Sequence, residues 1–272
     1  MRGRRRSALV VIAIAGACLG RVTATTHPIR GLTPVRVTPV RVSEAFVVLR
    51  GFGYSGDGER AIRALQPAMA AQGFDLYIPD YISRSGLAES RKNLQRFMQD
   101  YTARYEKVHV FAFINGGWTV NPLIAASVAQ KVATVIYDRS PLQERAPRIA
   151  DEKLHFLTWV RYGSPVFDLA HTPYPPLTAS GVRVGLLVET SPTSFVRDHE
   201  ATARSYGAFR FECEAFAQRH DDCMYVNFNH DELYVHFAEV WPDVLAFIRN
   251  GRFSSAANRT PPSGDPFGPG RR

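Results

Sequence analysis

The sequence predicts an α/β fold, a three-layer sandwich built on a mostly parallel sheet of six or more strands. Two observations carry this prediction. Six short runs of apolar residues, many of them β-branched or aromatic, recur between residues 45 and 228, and stretches with helical periodicity separate them. Strands that alternate with helices pair in parallel through right-handed crossovers. The loops that follow the strands then share one edge of the sheet, where such folds place their functional residues.

The six predicted strands contain few charged residues, as expected of strands that helices cover on both faces. They occupy residues 45–49, 74–78, 107–114, 131–137, 182–188 and 223–228. Each run is followed within two residues by a glycine, a carboxylic acid or an amide. The predicted functional edge of the sheet is therefore polar.

Apolar side chains at positions i, i+3 and i+4 predict the helices between these strands. The clearest helix spans residues 87–105, where Leu94, Phe97 and Met98 follow this spacing. The other predicted helices span residues 58–72, 118–130, 195–218 and 237–249. Gly251 follows the last of them, as glycine often does at a helix C-terminus.

The two ends of the chain differ from the central domain, which spans residues 44–251. Residues 1–24 hold a basic leader, a 12-residue apolar run and small residues near Ala24, the pattern of a cleaved secretory signal peptide. At about 1.5 Å per residue, such a run is too short to cross a hydrocarbon core of about 30 Å. Lipidation at Cys18 is a weaker alternative. We therefore expect a secreted or periplasmic protein without a stable membrane span in its mature form.

Three further segments have a distinct composition. Residues 25–43 contain the pentapeptide TPVRV twice and suit an extended linker, because proline disfavours a central strand. Residues 141–180 mix helical and irregular patterns and suit a cap inserted after the fourth strand. Residues 252–272 are rich in proline and glycine, which predicts a disordered basic tail.

The formal charge of +8 lies at the two ends of the chain. Residues 1–24 carry five arginines and no acid, and residues 252–272 carry four arginines and one acid. The central 25–251 region is therefore neutral, which disfavours a nucleic-acid-binding fold.

The expected export also affects how the cysteines are interpreted. Cleavage of the signal peptide would remove Cys18 and leave Cys213 and Cys223 in the mature protein. Two cysteines in an exported domain usually form a disulfide, and separate buried thiols are the alternative.

The order of these elements resembles the α/β-hydrolase superfamily, in particular its lipase and esterase branch. FVVLRGFG at 46–53 resembles the first strand and oxyanion loop, and VHVFAFINGGW at 108–118 resembles the strand and nucleophile elbow. VGLLVE at 184–189 and NFNHDE at 227–232 resemble the acid strand and the histidine loop. The resemblance implies that Gly51, Phe52 and Asn115 belong to the oxyanion region and that His230 is the family histidine.

The resemblance fails at the nucleophile. The elbow motif is small-x-nucleophile-x-small, and here it is Ala112-Phe113-Ile114-Asn115-Gly116. Isoleucine has no lone pair or acidic proton, so Ile114 leaves the histidine nothing to activate. A β-branched residue is also strongly disfavoured at positive φ, so we predict that Ile114 has negative φ.

The acid of the resemblance is also displaced. No aspartate lies in the loop after the strand at 182–188, and Glu189 falls too early, at the strand end. Asp138, after the preceding strand, is an alternative acid. A histidine that has lost its partners is more often a hydrogen-bonded loop residue than a base.

Two functions fit these residues. One is a non-catalytic binding protein whose pocket, floored by Ile114, takes a small apolar or acyl-bearing ligand. The other is an esterase with a displaced nucleophile at Ser55 or Ser140, although a turn or a helix start explains both serines. No cofactor and no metal is predicted, since the acidic groups at 220–222 and 230–232 lack the spacing of a helical metal motif.

Overall fold

A computed structural model describes residues 43–52 and 54–268. The predicted signal peptide with Cys18, nearly all of the linker, and the last four residues of the tail lie outside the described residues. Within this part of the chain, no helix is long and apolar enough to cross a membrane.

The described residues form one six-stranded sheet in the order β2-β1-β3-β4-β5-β6, in which all neighbouring strands are parallel. The strands are β1 (Glu44–Leu49), β2 (Phe74–Tyr77), β3 (Lys107–Ala112), β4 (Val132–Arg139), β5 (Arg183–Glu189) and β6 (Asp222–Val226). Each predicted strand is present, within about two residues at most of its ends. The predicted fold class is therefore confirmed.

Helices connect the strands and extend from β6. They are α1 (Gly56–Ala64), α2 (Gln66–Ala71), α3 (Leu87–Phe97), α4 (Ile114–Ala125), α5 (Ala146–Tyr162), α6 (Pro165–His171), α7 (Ser194–Asp198), α8 (Glu200–Ser205), α9 (His230–Val235) and α10 (Phe237–Asn250). A π-helical turn, Met98–Thr102, continues α3. The predicted helix at 58–72 is two helices, because Pro67 lies in the first turn of α2 and has no N–H to continue α1.

The two faces of the sheet pack against different helices. In β1, Val47 and Leu49 belong to the core shared with α3 and α4, whereas Phe46 and Val48 belong to the core shared with α1 and α10. All four side chains are fully buried. This alternation is the period of a β-strand with both faces covered, and it produces the predicted three layers.

The helix predicted at 195–218 is wrong beyond residue 205. After α7 and α8 the chain turns at Gly207, whose φ is +103°, and only a short 3₁₀ turn, Cys213–Ala215, follows. The disulfide between Cys213 and Cys223 draws this turn onto β6, with a Cα–Cα distance of 6.4 Å. The predicted disulfide is therefore present, and it holds a segment that apolar periodicity alone assigned to a helix.

Residues 252–268 pack along β6, which differs from the disordered tail expected from their composition. The Phe253 amide donates to Asp222 at 2.7 Å, and the Tyr225 amide donates to the carbonyl of Asn258 at 2.9 Å. The Phe253 ring lies 4.8 Å from Phe247 in α10. Since β6 is the edge strand, its backbone needs partners outside the sheet, and this segment supplies them.

Candidate functional site

His230 is the first residue of α9 and lies beyond the end of β6. A capping box fixes this turn: the Asn229 side chain accepts from the amides of Asp231 and Glu232, and the Glu232 carboxylate accepts from the Asn229 amide. Such a box satisfies backbone donors at both ends of the turn. The position of the His230 ring is therefore set by α9 and not by a free loop.

Two carboxylates meet the same nitrogen of His230. Nδ1 lies 3.0 Å from Asp138 Oδ2, near the end of β4, and 3.3 Å from Glu189 Oε1, at the end of β5. All three side chains are buried. The structure thus brings together the predicted pair His230 and Asp138, and it adds Glu189, which the sequence analysis set aside. Its signal was a carboxylic acid ending a fully apolar strand.

Burial and charge set the proton state of this trio. Burial raises the pKa of Asp138 above its ordinary value, although hydrogen bonding to His230 opposes the rise. Burial and the nearby Asp138 charge raise the pKa of Glu189 well above its ordinary value. For His230, burial alone lowers the pKa, but Glu189 and Asp138 outweigh burial and raise it to about 10. At neutral pH the imidazole is therefore protonated.

This trio is also where the described residues could hold a metal ion, because ligand atoms of Asp138, Glu189 and His230 all lie within 4.8 Å of one another. Carboxylate oxygens and an imidazole nitrogen are ordinary ligands of Zn²⁺ and similar ions. His230 Nδ1 contacts one oxygen of each carboxylate, while the other oxygens, Asp138 Oδ1 and Glu189 Oε2, are buried without a hydrogen-bond partner among the described residues. The acidic groups at 220–222 and 230–232 do not converge in this way in the described part of the chain.

Ile114 begins α4 directly after the strand-to-helix turn, where the resemblance expects the nucleophile. Ser127 is the one non-glycine residue with positive φ among the described residues, so the predicted negative φ of Ile114 is confirmed. The Ile114 side chain is buried in an apolar group, here called the Ile114 cluster. Its members are Leu87, Ile114, Trp118 and Leu169, with Phe52 and Tyr174 partly buried at its margin.

The loop after β1 is held by Tyr234 from α9. The Gly51 amide donates to the Tyr234 hydroxyl at 2.8 Å. A Cβ at position 51 would lie 3.0 Å from Nε2 of His230 and 3.1 Å from the Tyr234 hydroxyl, so the close approach favours glycine. The Gly51 amide therefore already has an acceptor. No sequence motif marks Tyr234 for this role, since aromatic periodicity does not indicate a hydroxyl's partner.

Asn115 contacts the same loop through Tyr81. Its Nδ2 donates to the Tyr81 hydroxyl at 3.3 Å, and that hydroxyl donates to the carbonyl of Arg50 at 2.7 Å. Arg50 also pairs with Asp80. The Asn115 Oδ1 atom is buried without a hydrogen-bond partner in the structure. These contacts tie Arg50 and Gly51, which precede Phe52, to β2 and α4.

Neither Ser55 nor Ser140 is hydrogen-bonded to His230. The Ser55 hydroxyl caps α1 by accepting from the Gly58 amide at 3.1 Å. The Ser140 hydroxyl is buried and accepts from the Gln143 amide at 3.2 Å. Both serines thus occupy the turn and cap roles that sequence alone suggested for them.

The segment at 141–180 covers the Ile114 cluster. Leu169 of α6 packs into the cluster, and the Trp118 indole N–H donates to the Thr172 carbonyl at 3.1 Å. The Leu87 amide donates to the Asp168 carboxylate at 2.7 Å. Two surface cavities of about 550 and 670 Å³ lie near residues 258–266. The space above Ile114 is filled by side chains of the segment at 141–180, which we call the cap.

Comparison with known proteins gives the fold. No family model matches the sequence, and no curated protein matches it. Among solved structures, the chain is similar to Bacillus licheniformis lipase BlEst2 in its mature form, with 12% identity and a TM-score of 0.53 over 76% of this chain and 94% of the lipase. The propeptide form aligns with 13% identity and a TM-score of 0.54 over 84% of this chain and 54% of that one. The chain has the α/β-hydrolase fold.

Proposed function

We propose that this protein is an exported, non-catalytic binding protein on the α/β-hydrolase fold. One observation carries the proposal: Ile114 occupies the turn where a nucleophile would stand, and its side chain is part of an apolar cluster. His230 and Asp138 remain in contact nearby. An acid–histidine pair without a nucleophile has no group to deprotonate for covalent catalysis. The disulfide supports export, because disulfides persist in oxidising compartments.

The proton state of His230 supports the same conclusion. A general base works best when its pKa lies near the operating pH. The carboxylates of Glu189 and Asp138 hold the pKa of His230 at about 10, so the ring carries a proton at neutral pH. The Gly51 amide is moreover occupied by Tyr234. Two further parts of an esterase site, the base and a neighbouring amide donor, are thus engaged in contacts within the protein.

The proposed ligand is a small apolar or acyl-bearing molecule that binds at the Ile114 cluster. Ile114 and Trp118 come from α4, whereas Leu169 and Tyr174 come from the cap. An acyl chain that entered between α4 and the cap would replace contacts with Leu169. The surface it met would remain apolar, as small-molecule sites mostly are.

Activity probes test the catalytic part of the proposal. We expect the wild-type protein to resist fluorophosphonate labelling and to leave short p-nitrophenyl esters intact. Ile114→Ser adds a hydroxyl at this turn. It should stay inactive at neutral pH, where His230 is protonated, and should gain weak esterase activity only as the pH approaches 10. The matched Ile114→Val variant should be inactive at both pH values. Stoichiometric labelling of wild-type protein at Ser55 or Ser140 would instead establish the esterase with a displaced nucleophile.

Titration with a fluorescent fatty acid tests the binding part. Leu169→Ala removes cap volume above Ile114 and should tighten binding, while Ile114→Phe adds volume to a cluster that is already packed and should weaken binding, each by about tenfold. The exposed Val235→Ala variant is the control and should bind as wild type does. If Leu169→Ala and Ile114→Phe both left the affinity unchanged, the ligand would not sit at the Ile114 cluster.

A further inference from the structure

The second half of α5 carries a group of exposed apolar side chains that the proposed binding site does not use. Phe156, Leu157 and Trp159 are 70%, 62% and 54% exposed. They are three of the five large apolar side chains that are exposed in the described part of the chain. We call them the cap patch. Exposed apolar groups of this kind commonly mark an interaction surface.

The helical spacing places the patch outward. Thr158 belongs to the same stretch of helix, lies nearly opposite Phe156 around its axis, and is buried. Phe156 and Trp159 therefore lie on the side of the helix that faces away from the protein. A helix on the surface of a soluble protein normally shows the reverse pattern, with its apolar side toward the core. The apolar face of this half of α5 therefore lacks a partner within the described chain.

The rest of the molecule holds the patch in this position. Leu154 has non-helical backbone angles, φ −134° and ψ 28°, so the helix bends just before the patch. Arg84 binds the other end: its guanidinium donates to the carbonyls of Arg161 at 2.6 Å and Val160 at 2.8 Å. These hydrogen bonds satisfy the last carbonyls of α5, which would otherwise need water. The patch is thus presented by a capped helix.

Exposed cations flank the patch. Lys153, Arg161 and Arg84 are exposed, and no acidic residue occurs between 153 and 167. The two acids that precede the patch already have partners, since Asp151 binds His155 and His171 and Glu152 binds Arg148. An apolar face flanked by cations matches a membrane surface that carries anionic lipids. A second copy of the patch would bring like charges together.

We propose that the cap patch docks this protein on anionic lipid bilayers. Phe156, Leu157 and Trp159 enter the headgroup region, and the lysine and arginines meet lipid phosphates. Tryptophan and phenylalanine suit this boundary, where one side of the ring is apolar and the other is wet. Binding is peripheral, and α5 lies in the plane of the surface. This surface is separate from the Ile114 cluster, so the proposal does not depend on the fatty-acid ligand.

Tryptophan fluorescence reports docking directly. The chain has three tryptophans, and Trp118 and Trp241 are buried, so Trp159 is the one open to solvent. The mature protein is titrated with vesicles of phosphatidylcholine alone or mixed with phosphatidylglycerol. We expect a blue shift and protection from acrylamide quenching with the mixed vesicles, both reversed by high salt. Trp159→Phe should remove the shift while sedimentation still shows the protein on the vesicles.

Matched variants separate the apolar and charged contributions. Phe156→Ser with Leu157→Ser should abolish co-sedimentation, while Val235→Ser, at a site that is 45% exposed elsewhere, should leave it unchanged. Lys153→Gln with Arg161→Gln should weaken partitioning about 25-fold, at about fivefold for each cation near the surface. Circular dichroism checks that each variant is folded.

Several outcomes would overturn the proposal. Wild-type protein that ignored the mixed vesicles, or bound phosphatidylcholine equally well, would contradict docking on anionic lipid. A concentration-dependent dimer that the Phe156→Ser, Leu157→Ser variant abolished, without vesicle binding by wild type, would assign the patch to a second copy. Fatty-acid titration of the same variant distinguishes the two proposals, because loss of vesicle binding should leave the Ile114 cluster intact.

Discussion

His230 shares one ring nitrogen between two buried carboxylates. Asp138 and Glu189 both lie within 3.3 Å of Nδ1, and none of the three groups reaches bulk water. Two carboxylates buried together favour the uptake of protons, and the raised pKa values of Glu189 and His230 both follow from this. The trio therefore binds more protons in the folded state than in the unfolded chain. It holds the ends of β4 and β5 to the start of α9.

Stability should therefore fall as the pH rises. The pKa of His230 is raised from 6.5 to about 10, so between these values His230 binds about one more proton in the folded protein than in the unfolded chain. Stability from a raised pKa is complete below the unfolded value and is lost toward the folded value. His230 should therefore lower the free energy of unfolding by about 1.4 kcal/mol per pH unit in this interval, and the raised pKa of Glu189 acts in the same direction. Urea denaturation at several pH values measures this slope.

Two variants sharpen the measurement. Glu189→Gln keeps the shape of the side chain but removes a carboxylate, which should lower the pKa of His230 and flatten the slope. His236→Gln, at a half-buried histidine just after α9 that does not contact the trio, should leave the slope unchanged. A flat profile for the wild-type protein would mean that His230 is neutral at these pH values, and the argument that its bound proton prevents it from acting as a base would fail.

At the scale of single residues, the sequence predicted what depends on local motif and missed what depends on distant contacts. The elbow motif located Ile114 and its negative φ, because both follow from residue type and turn geometry. Glu189 was set aside, and no motif singled out Tyr234. Their contacts to His230 and Gly51 span 41 and 183 residues of sequence, and they depend on how far each strand projects.

Among the secondary-structure elements, strands were the most predictable. Each is a short apolar run with a polar residue after it, and burial on both faces makes that pattern strong. Their order in the sheet is a separate matter, because parallel strands of similar composition could pair in several orders. The observed order places β4, β5 and β6 side by side. That neighbourhood is what brings Asp138 and Glu189 to His230.

The elements that sequence patterns misassigned are those held by contacts from outside. Residues 206–221 have enough apolar side chains for a helix, but Gly207 and the disulfide at Cys213 impose a turn. Residues 252–268 have the composition of a disordered segment, yet hydrogen bonds to β6 and burial of Phe253 order them against the edge strand. In both cases a tertiary partner outweighs local propensity.

For the whole molecule, the basic composition describes the ends of the chain and not the folded body. Residues 25–251 have no net charge, so an interaction driven by charge must come from a local cluster. The cations beside the cap patch form such a cluster on a folded body without an excess of basic residues, since residues 43–268 hold 23 Lys and Arg against 25 Asp and Glu. Placed next to Phe156 and Trp159, they favour an interface that is apolar and anionic together, which a nucleic acid is not.

The disulfide links the fold to the compartment in which the protein works. Cys213 and Cys223 close a loop of about ten residues, which should stabilise the folded state by about 2–3 kcal/mol through the entropy of the unfolded chain. Unfolding of the mature protein with and without reductant measures this difference. The double variant Cys213→Ser, Cys223→Ser should have the free energy of unfolding of the reduced protein, and reductant should not change it. If thiol titration of the mature, unreduced protein found two free cysteines, both the pairing and the argument for an oxidising compartment would be lost. The segment at 206–221 should loosen first on reduction, because the disulfide cross-links a stretch that contains only a short 3₁₀ turn to β6. Hydrogen exchange there should rise, while the trio at His230 should keep its protection.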